Sequence, residues 1–392
     1  MSAAKFITIL SNTTTGLLGG LPRRIIFATR ETITGYTADT QSGLIAVTAD
    51  MVAALVAANP SALATAQALN TVFGATIKPD LMYILSTGNA ALTSAMLNKA
   101  NYSPRNWSTL NVGSQSNGLT DSSTYLADCT TASLWADLNE KIFIMSWSMI
   151  DGGTLPDALL LAGGSGNPGA LMTQQRTKTL VTNARTEVTT GVFVYHNPLL
   201  AALVHSLYGG SIARSIGSLS DAHDFTNVSS DTYSAATRTY IALNSLAQYN
   251  SAKDQGGANF VYDTFMNSSV NPPTSMQIET QIAVDYINDY CVVTPRNALI
   301  AAGRTGVNGD YTGVVEVAAL TRAALETMWK ANAILSNDDG TSDFTLITLP
   351  ASGIKALNPA WQSEGVIPVG AIVATIKPYG ATHYYTIAFN YN

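Results

Sequence analysis

Charge is what this sequence has least of. Only 12% of its 392 residues are Asp, Glu, Lys or Arg, where about 25% is usual for a globular chain. Ser, Thr, Asn, Gln and Gly fill the deficit, since the hydrophobic share, 46%, is ordinary. Copies of such a chain repel one another weakly. A lone monomer then risks association, whereas a surface hidden against copies of itself does not. Basic blocks are missing too. The nearest is Arg23-Arg24, and a net charge of −6 argues against a dedicated nucleic-acid binder. The two cysteines, Cys129 and Cys291, are far apart and outside any C-x-x-C pair. Both read as buried thiols rather than as metal or redox groups. No apolar run approaches the roughly 20 residues of a membrane span. MSAAKFITIL has one lysine and too short an apolar run for a signal peptide. Internal repeats and low-complexity tracts are absent.

Signatures of catalysis are equally scarce. Gly164-Ser165-Gly166-Asn167-Pro168-Gly169 fits G-x-G-x-x-G, with Glu187 about 20 residues on. The preceding DALLLA reads as readily as a helix as a strand, and Pro168 removes an amide that a phosphate would use, so the segment reads as a connection. Asn337-Asp338-Asp339-Gly340 places its glycine sixth only if Leu335 is first, which fails the calcium-loop pattern and leaves an Asp-Gly turn. His196, His205, His223 and His383 show no ligand spacing. Asp285 and Asp289, four apart on a helix, read as a solvated face, and Asp137 and Glu140 as a helix end beside Lys141. From these residues we expect no enzyme, no metal and no cofactor.

What the chain does have is an orderly run of elements. Strands are expected at Lys5–Leu10, Arg24–Thr29, Leu81–Leu85, Lys141–Trp147 and Val192–Tyr195. Between them lie expected helices at Asp50–Ala58, Pro60–Phe73, Thr93–Ala100, from Asp121 with Tyr125, Leu126, Leu134 and Leu138 at helical spacing, Ala170–Thr186, and Pro198–Leu207. Asn101–Asp121 reads as loop. This alternation predicts an α/β sheet carrying helices. Farther on, helices are expected at Ala236–Tyr249, Thr274–Tyr290 and Val314–Leu335. Strands follow at Asn259–Phe265, Phe344–Leu349, Ile367–Ile376 and His383–Tyr391, an α+β layout. The division expected is an arm at 1–20, an α/β domain at 21–235, an α+β domain at 236–380 and a strand arm at 381–392.

The last segment, ATHYYTIAFNYN, alternates at a strand's period: His383, Tyr385, Ile387, Phe389 and Tyr391 on one side, Thr382, Tyr384, Thr386, Ala388 and Asn390 on the other. Its aromatics have only Lys377 and His383 as basic neighbours, so they suit cross-strand packing better than base stacking.

Several stretches together resemble one family. RIIFATRE comes first, then ATAQALNTVFGATIKPDLMYIL, with a helix ending on Phe, a Lys-Pro step and a buried strand. The C-terminal third carries AVDYINDYCVVTPRNALIAAGRTGVNGDYTGVVEVAALTRAALETMWKANAIL and then FTLITLP. This resembles the contractile tail-sheath proteins of bacteriophages and related contractile injection systems. The matching residues are Asp285-Tyr286, Tyr311-Thr312-Gly313 in an expected loop, and Phe344–Pro350. Here the glycine follows the Tyr-Thr pair directly, a departure from the family's spacing.

The resemblance implies a structural subunit that stacks with copies of itself around a tail tube, with baseplate and tail-terminator proteins as further partners. It implies a place in the virion after assembly in the host cytoplasm. It also implies that terminal arms add strands to the sheets of neighbouring subunits, through Phe6, Ile7, Thr8 and Ile9 at one end. At the other end the strand-adding residues would be His383, Tyr384, Tyr385, Thr386, Ile387 and Phe389. The alternative for the last segment is a strand in the subunit's own sheet. Alternatives for the whole chain are another self-assembling virion protein, a tail tube or capsid subunit, and a nucleotide-dependent enzyme using GSGNPG.

Overall fold

In the computed structural model the central strand, β1 (Ile25–Thr29), is buried at all 5 positions. A strand covered on both faces needs no polar side, which is why IIFAT reads as a continuous apolar run. The structure describes residues 24–74, 81–101, 107, 109–113, 123–148, 176–182, 185–189, 192–195, 247–249, 260–261, 278–303, 311–330, 334–350 and 370–376. The expected strands at 5–10 and 383–391, the GSGNPG segment, the four histidines and the helix at 198–207 lie outside them.

The chain falls into two compact units; the described residues through Val261 belong to the first and those from Thr280 to Ile376 to the second. In the first, β1 is followed by β2 (Ile45–Val47), a short 3-10 turn at Ala49–Met51, α1 (Val52–Ala58), α2 (Leu63–Gly74) and β3 (Met82–Ser86). Next come α3 (Ser94–Ala100), β4 (Thr109–Val112), α4 (Ser123–Leu138), β5 (Ile142–Ser148) and β6 (Thr177–Thr182). A hairpin of β7 (Arg185–Thr189) and β8 (Val192–Tyr195) and two short strands, β9 (Ala247–Tyr249) and β10 (Phe260–Val261), complete it.

Eight strands form one sheet in the order β10-β9-β6-β5-β4-β1-β3-β2. The inner pairs from β9 to β3 are all parallel, and the two edge strands pair antiparallel. Side chains alternate between the faces. Ile26, Ala28, Tyr83, Leu85, Leu110, Val112, Phe143 and Met145 join one core with Leu97 and Ala100 of α3 and Tyr125, Cys129, Ala132, Trp135 and Ala136 of α4. Ile25, Phe27, Met82, Ile84, Ile142 and Ile144 are buried between them in sequence, on the opposite face, where α2 packs on β1. The result is a three-layer, doubly wound arrangement.

Several expectations change here. Within the helix expected at 170–186, 177–182 and 185–186 are strand instead: β6 (TKTLVT) and the start of β7. Thr and Val branch at Cβ, lose rotamers in a helix and pack well on a pleated surface. The loop expected at 101–121 contains β4, and the last residues of the helix expected at 236–249 are β9, paired with β6. On α4 the buried face is Tyr125, Cys129, Ala132, Trp135 and Ala136, while Leu138 is 84% exposed and Leu134 49%. Trp135 stacks on Trp107 with ring centroids 5.6 Å apart, and its indole N–H donates to Asn98 Oδ1 at 2.8 Å. Once this aromatic pair fixes the helix's rotation, the two leucines point away.

In the second unit, α5 (Ile278–Ala301) and α6 (Tyr311–Lys330) precede an antiparallel pair, β11 (Phe344–Pro350) and β12 (Gly370–Ile376). Tyr311-Thr312-Gly313, expected in a loop, is the first turn of α6. α5 continues through the buried Pro295, which has no N–H to give the carbonyl of Cys291. α6 buries Ala318, Ala324, Leu325 and Met328 and packs on both strands. No described helix is long and apolar enough to cross a membrane.

Candidate functional site at the carboxyl edge of the sheet

Doubly wound sheets bind ligands beyond the carboxyl ends of their strands, where the strand order reverses. In this sheet β3 lies on one side of β1, and β4, β5 and β6 follow on the other. The reversal falls between β1 and β4. The residues leaving those strands are Arg30 and Glu31 after β1 and Gly113 after β4.

Arg30 turns toward α4. Its Nε and Nη2 donate to the two carboxylate oxygens of Asp128 at 2.6 and 2.8 Å, a bidentate pair. Nη2 also reaches the Thr124 carbonyl at 3.5 Å, and Asp128 Oδ1 accepts the amide of Leu92 at 3.0 Å. The side chains of the pair are 14% and 4% exposed. The bond to Asp128 raises the guanidinium's pKa further, so this charge is permanent.

Glu31 turns the other way, to the first turn of α2. Its carboxylate accepts the amide of Ala64 at 3.0 Å, the amide of Thr65 at 2.8 Å and the Thr65 hydroxyl at 2.7 Å. The first amides of a helix have no partners within it, and the helix dipole favours an anion there. In nucleotide-binding folds a phosphate takes such a place. Here the protein's own carboxylate does. Burial raises the Glu31 pKa above its ordinary value, and the hydrogen bonds from Thr65 and Ala64 oppose that shift.

Gly113 closes the other side of the reversal. Its amide donates to the Ala28 carbonyl at 2.8 Å. A Cβ built on it would meet the Phe27 ring at 2.1 Å. The turn at Thr87–Ala90, with positive φ at Gly88 and Asn89, packs on the same edge: Thr87 and Asn89 amides donate to the carbonyls of Thr29 and Arg30. Among the described residues, the Arg30–Asp128 pair lies on one face of this edge and the Phe27 ring and Glu31 on the other. Nothing in the sequence pattern singled out Arg30, Glu31 or Asp128, because their partners lie 33 to 98 residues away.

Cys129 is fully buried and its thiol pKa is pushed far up; Cys291 is only half-buried, pushed up to about 11, so neither is a ready thiolate. Asp339 takes the amide and hydroxyl of Thr341, and the Gly340 amide donates to the Asn337 carbonyl, an Asp-Gly turn as expected. Asp137 accepts the Arg176 amide at 3.3 Å, Arg176 also donates to the Glu140 carbonyl, and Lys141 reaches the Trp107 carbonyl at 2.9 Å. Among the described residues no group of three His, Cys, Asp or Glu could hold a metal ion. The predicted strand-adding residues, Phe6 to Ile9 and His383 to Phe389, lie outside the described residues.

No protein-family model matches the sequence, and no curated protein matches it. Solved structures do match. A chain of the anti-feeding prophage baseplate, six-fold symmetrised, has a TM-score of 0.64 at 11% identity, covering 97% of this chain and 96% of that one. A chain of the anti-feeding prophage helical sheath in its contracted state gives 0.61 at 12% identity, with 97% and 96% covered. A chain of the contracted baseplate gives 0.58 at 13% identity, with 98% of each covered. The chain has the contractile tail-sheath fold.

Proposed function

We propose that this chain is the structural subunit of a contractile tail sheath, polymerising around a tail tube and contracting to drive it through the host envelope. The observation that carries this is the match, over nearly the full length of both chains, to a chain of a contracted helical sheath. The carboxyl edge of the sheet supports a non-enzymatic role, since the protein's own Glu31 takes the helix amides a phosphate would use and Arg30 is paired with Asp128. The low charge supports life in contact with copies of itself. Tail tube, baseplate and tail-terminator proteins are the further partners in this reading, and the virion, after assembly in the host cytoplasm, is the location.

Residues 1–20 and 381–392 act as arms that add strands to neighbouring subunits, through Phe6–Ile9 and His383–Phe389. Strand addition needs an acceptor sheet with something left to pair. The two-stranded sheet of β11 and β12 suits that role. Among the described residues β11 and β12 pair only with each other, with α6 packed on them, and Ile347 on β11 is 53% exposed. Contraction then draws on surface newly buried between subunits while the arms keep them linked.

Purified protein imaged by negative stain should give hollow tubes or stacked rings; compact particles would count against the sheath. Deleting residues 381–392 should leave soluble subunits that do not build tubes. Normal contractile tubes from the truncated chain would refute the arm, and insoluble monomer would instead mark the segment as a strand of the subunit's own sheet.

A further inference from the structure

Arg30 and Glu31 are the two residues that directly follow β1, and their side chains reach opposite faces of the sheet, α4 on one and α2 on the other. One ties α4 and the segment entering α3 to β1, through Asp128. The other ties the first turn of α2. Opposite charges one residue apart thus reach both helical layers from one strand. We propose that Arg30 and Glu31 form a two-sided clamp that locks α2 and α4 to the carboxyl end of β1, making the doubly wound core move as one body under load.

Packing alone would let each helix slide on its apolar face, because hydrophobic contact has no direction. Charge-assisted hydrogen bonds do have direction, and they fix a helix along its axis. Each clamp holds its helix at the amino-terminal half: Asp128 in α4, and Ala64 and Thr65 in α2. The bonds are shielded, with Glu31 only 7% exposed, so water competes poorly for them. No other charged side chain lies on β1, α1, α2 or β3, so nothing within those elements substitutes for Glu31. The proposal depends on the sheath reading only for the source of the load.

Amide hydrogen exchange on the full chain tests the clamp without requiring assembly. Glu31→Gln replaces one accepting oxygen with an NH2. It should raise exchange at Ala64 and Thr65 about tenfold, the usual effect of losing one hydrogen bond to a charged group, and leave α4 unchanged. Arg30→Lys keeps the charge and loses the bidentate geometry. It should raise exchange at Leu92 and in the first turns of α4 and leave α2 unchanged. Unchanged protection at these amides, or equal loosening of every element, overturns the proposal. If Arg30→Lys yields no soluble protein, Thr65→Val removes one of Glu31's donors and applies the same criterion to α2. In assembled tubes, the double variant should blur α2 and α4 while the strands stay sharp; helices as sharp as in the wild type overturn the clamp. Failure of the wild-type chain to form tubes counts against the sheath reading alone, and the exchange pattern then decides the clamp.

Discussion

Gly113 has no room for a methyl group, because the Phe27 ring stands 2.1 Å from where its Cβ would be. Gly113→Ala forces that ring out of its place and should cost about 1–3 kcal/mol, read as a lower urea midpoint with an unchanged slope. Glu31 sets a second residue-scale expectation. Its pKa is raised in the folded chain, so the native state keeps a proton where the unfolded chain has released it. The stability tied to this group is full below the unfolded value and is lost as pH rises through the folded one. Wild-type stability should therefore decline relative to Glu31→Gln as pH rises from about 4, the ordinary glutamate value, through the raised folded one. Parallel urea titrations check this, and equal slopes would show that Glu31 is not the group responsible.

At the scale of the element, α4 shows how an end is made. After Leu138 the chain turns through Glu140 at a positive φ of 54°, and the Lys141 amide bonds back to the Ala136 carbonyl at 3.0 Å. Glycine is the residue that adopts this conformation freely. Glu140→Gly should raise the stability of the fold by about 0.5–1 kcal/mol, and the Arg176 contact survives because it uses the backbone carbonyl. Thermal unfolding of the variant checks it. Much at this scale was legible from the sequence. β1, β3 and β5 sit where runs such as RIIFAT and LMYIL place them, because a short, fully apolar run bounded by breakers suits a buried parallel strand, and β8 and β11 also fall where expected, in antiparallel pairs. β4 was not legible. TLNV is four residues long with an asparagine at a core position, and Asn111 is tolerated there because its side-chain amide donates to the Ile144 carbonyl of the next strand.

For the whole molecule, so low a charge means that association draws little on Coulomb attraction. Under the proposed sheath function, tubes held by apolar burial and backbone hydrogen bonds should persist when salt rises from roughly 0.1 M to roughly 1 M, where exposed charges are screened within a few ångströms. Sedimentation at the two concentrations measures it. Dissolution at high salt would point to ion pairs as the glue. The described parts of residues 101–235 have a clear place at this scale. They supply β4, β5 and β6, three of the eight strands of the large sheet, and α4, the helix that Arg30 grips.

The sequence by itself determined the alternation of buried strands and helices, the scarcity of charge and the lack of a ligand-spaced histidine or cysteine set. Those are local or compositional properties, readable from periodicity and counts. Only the tertiary structure decided that 177–182 is strand, that α4 buries Trp135 rather than Leu138, and that Glu31 takes the first amides of α2. The physical reason is the same in each case. A six-residue segment with mixed propensity takes the state its neighbours can hydrogen-bond, a helix rotates to bury its best-packed face, and a carboxylate finds its donors through folding rather than through spacing. Glu31 and Thr65 are 34 residues apart in the chain. Nothing short of the fold could bring them together.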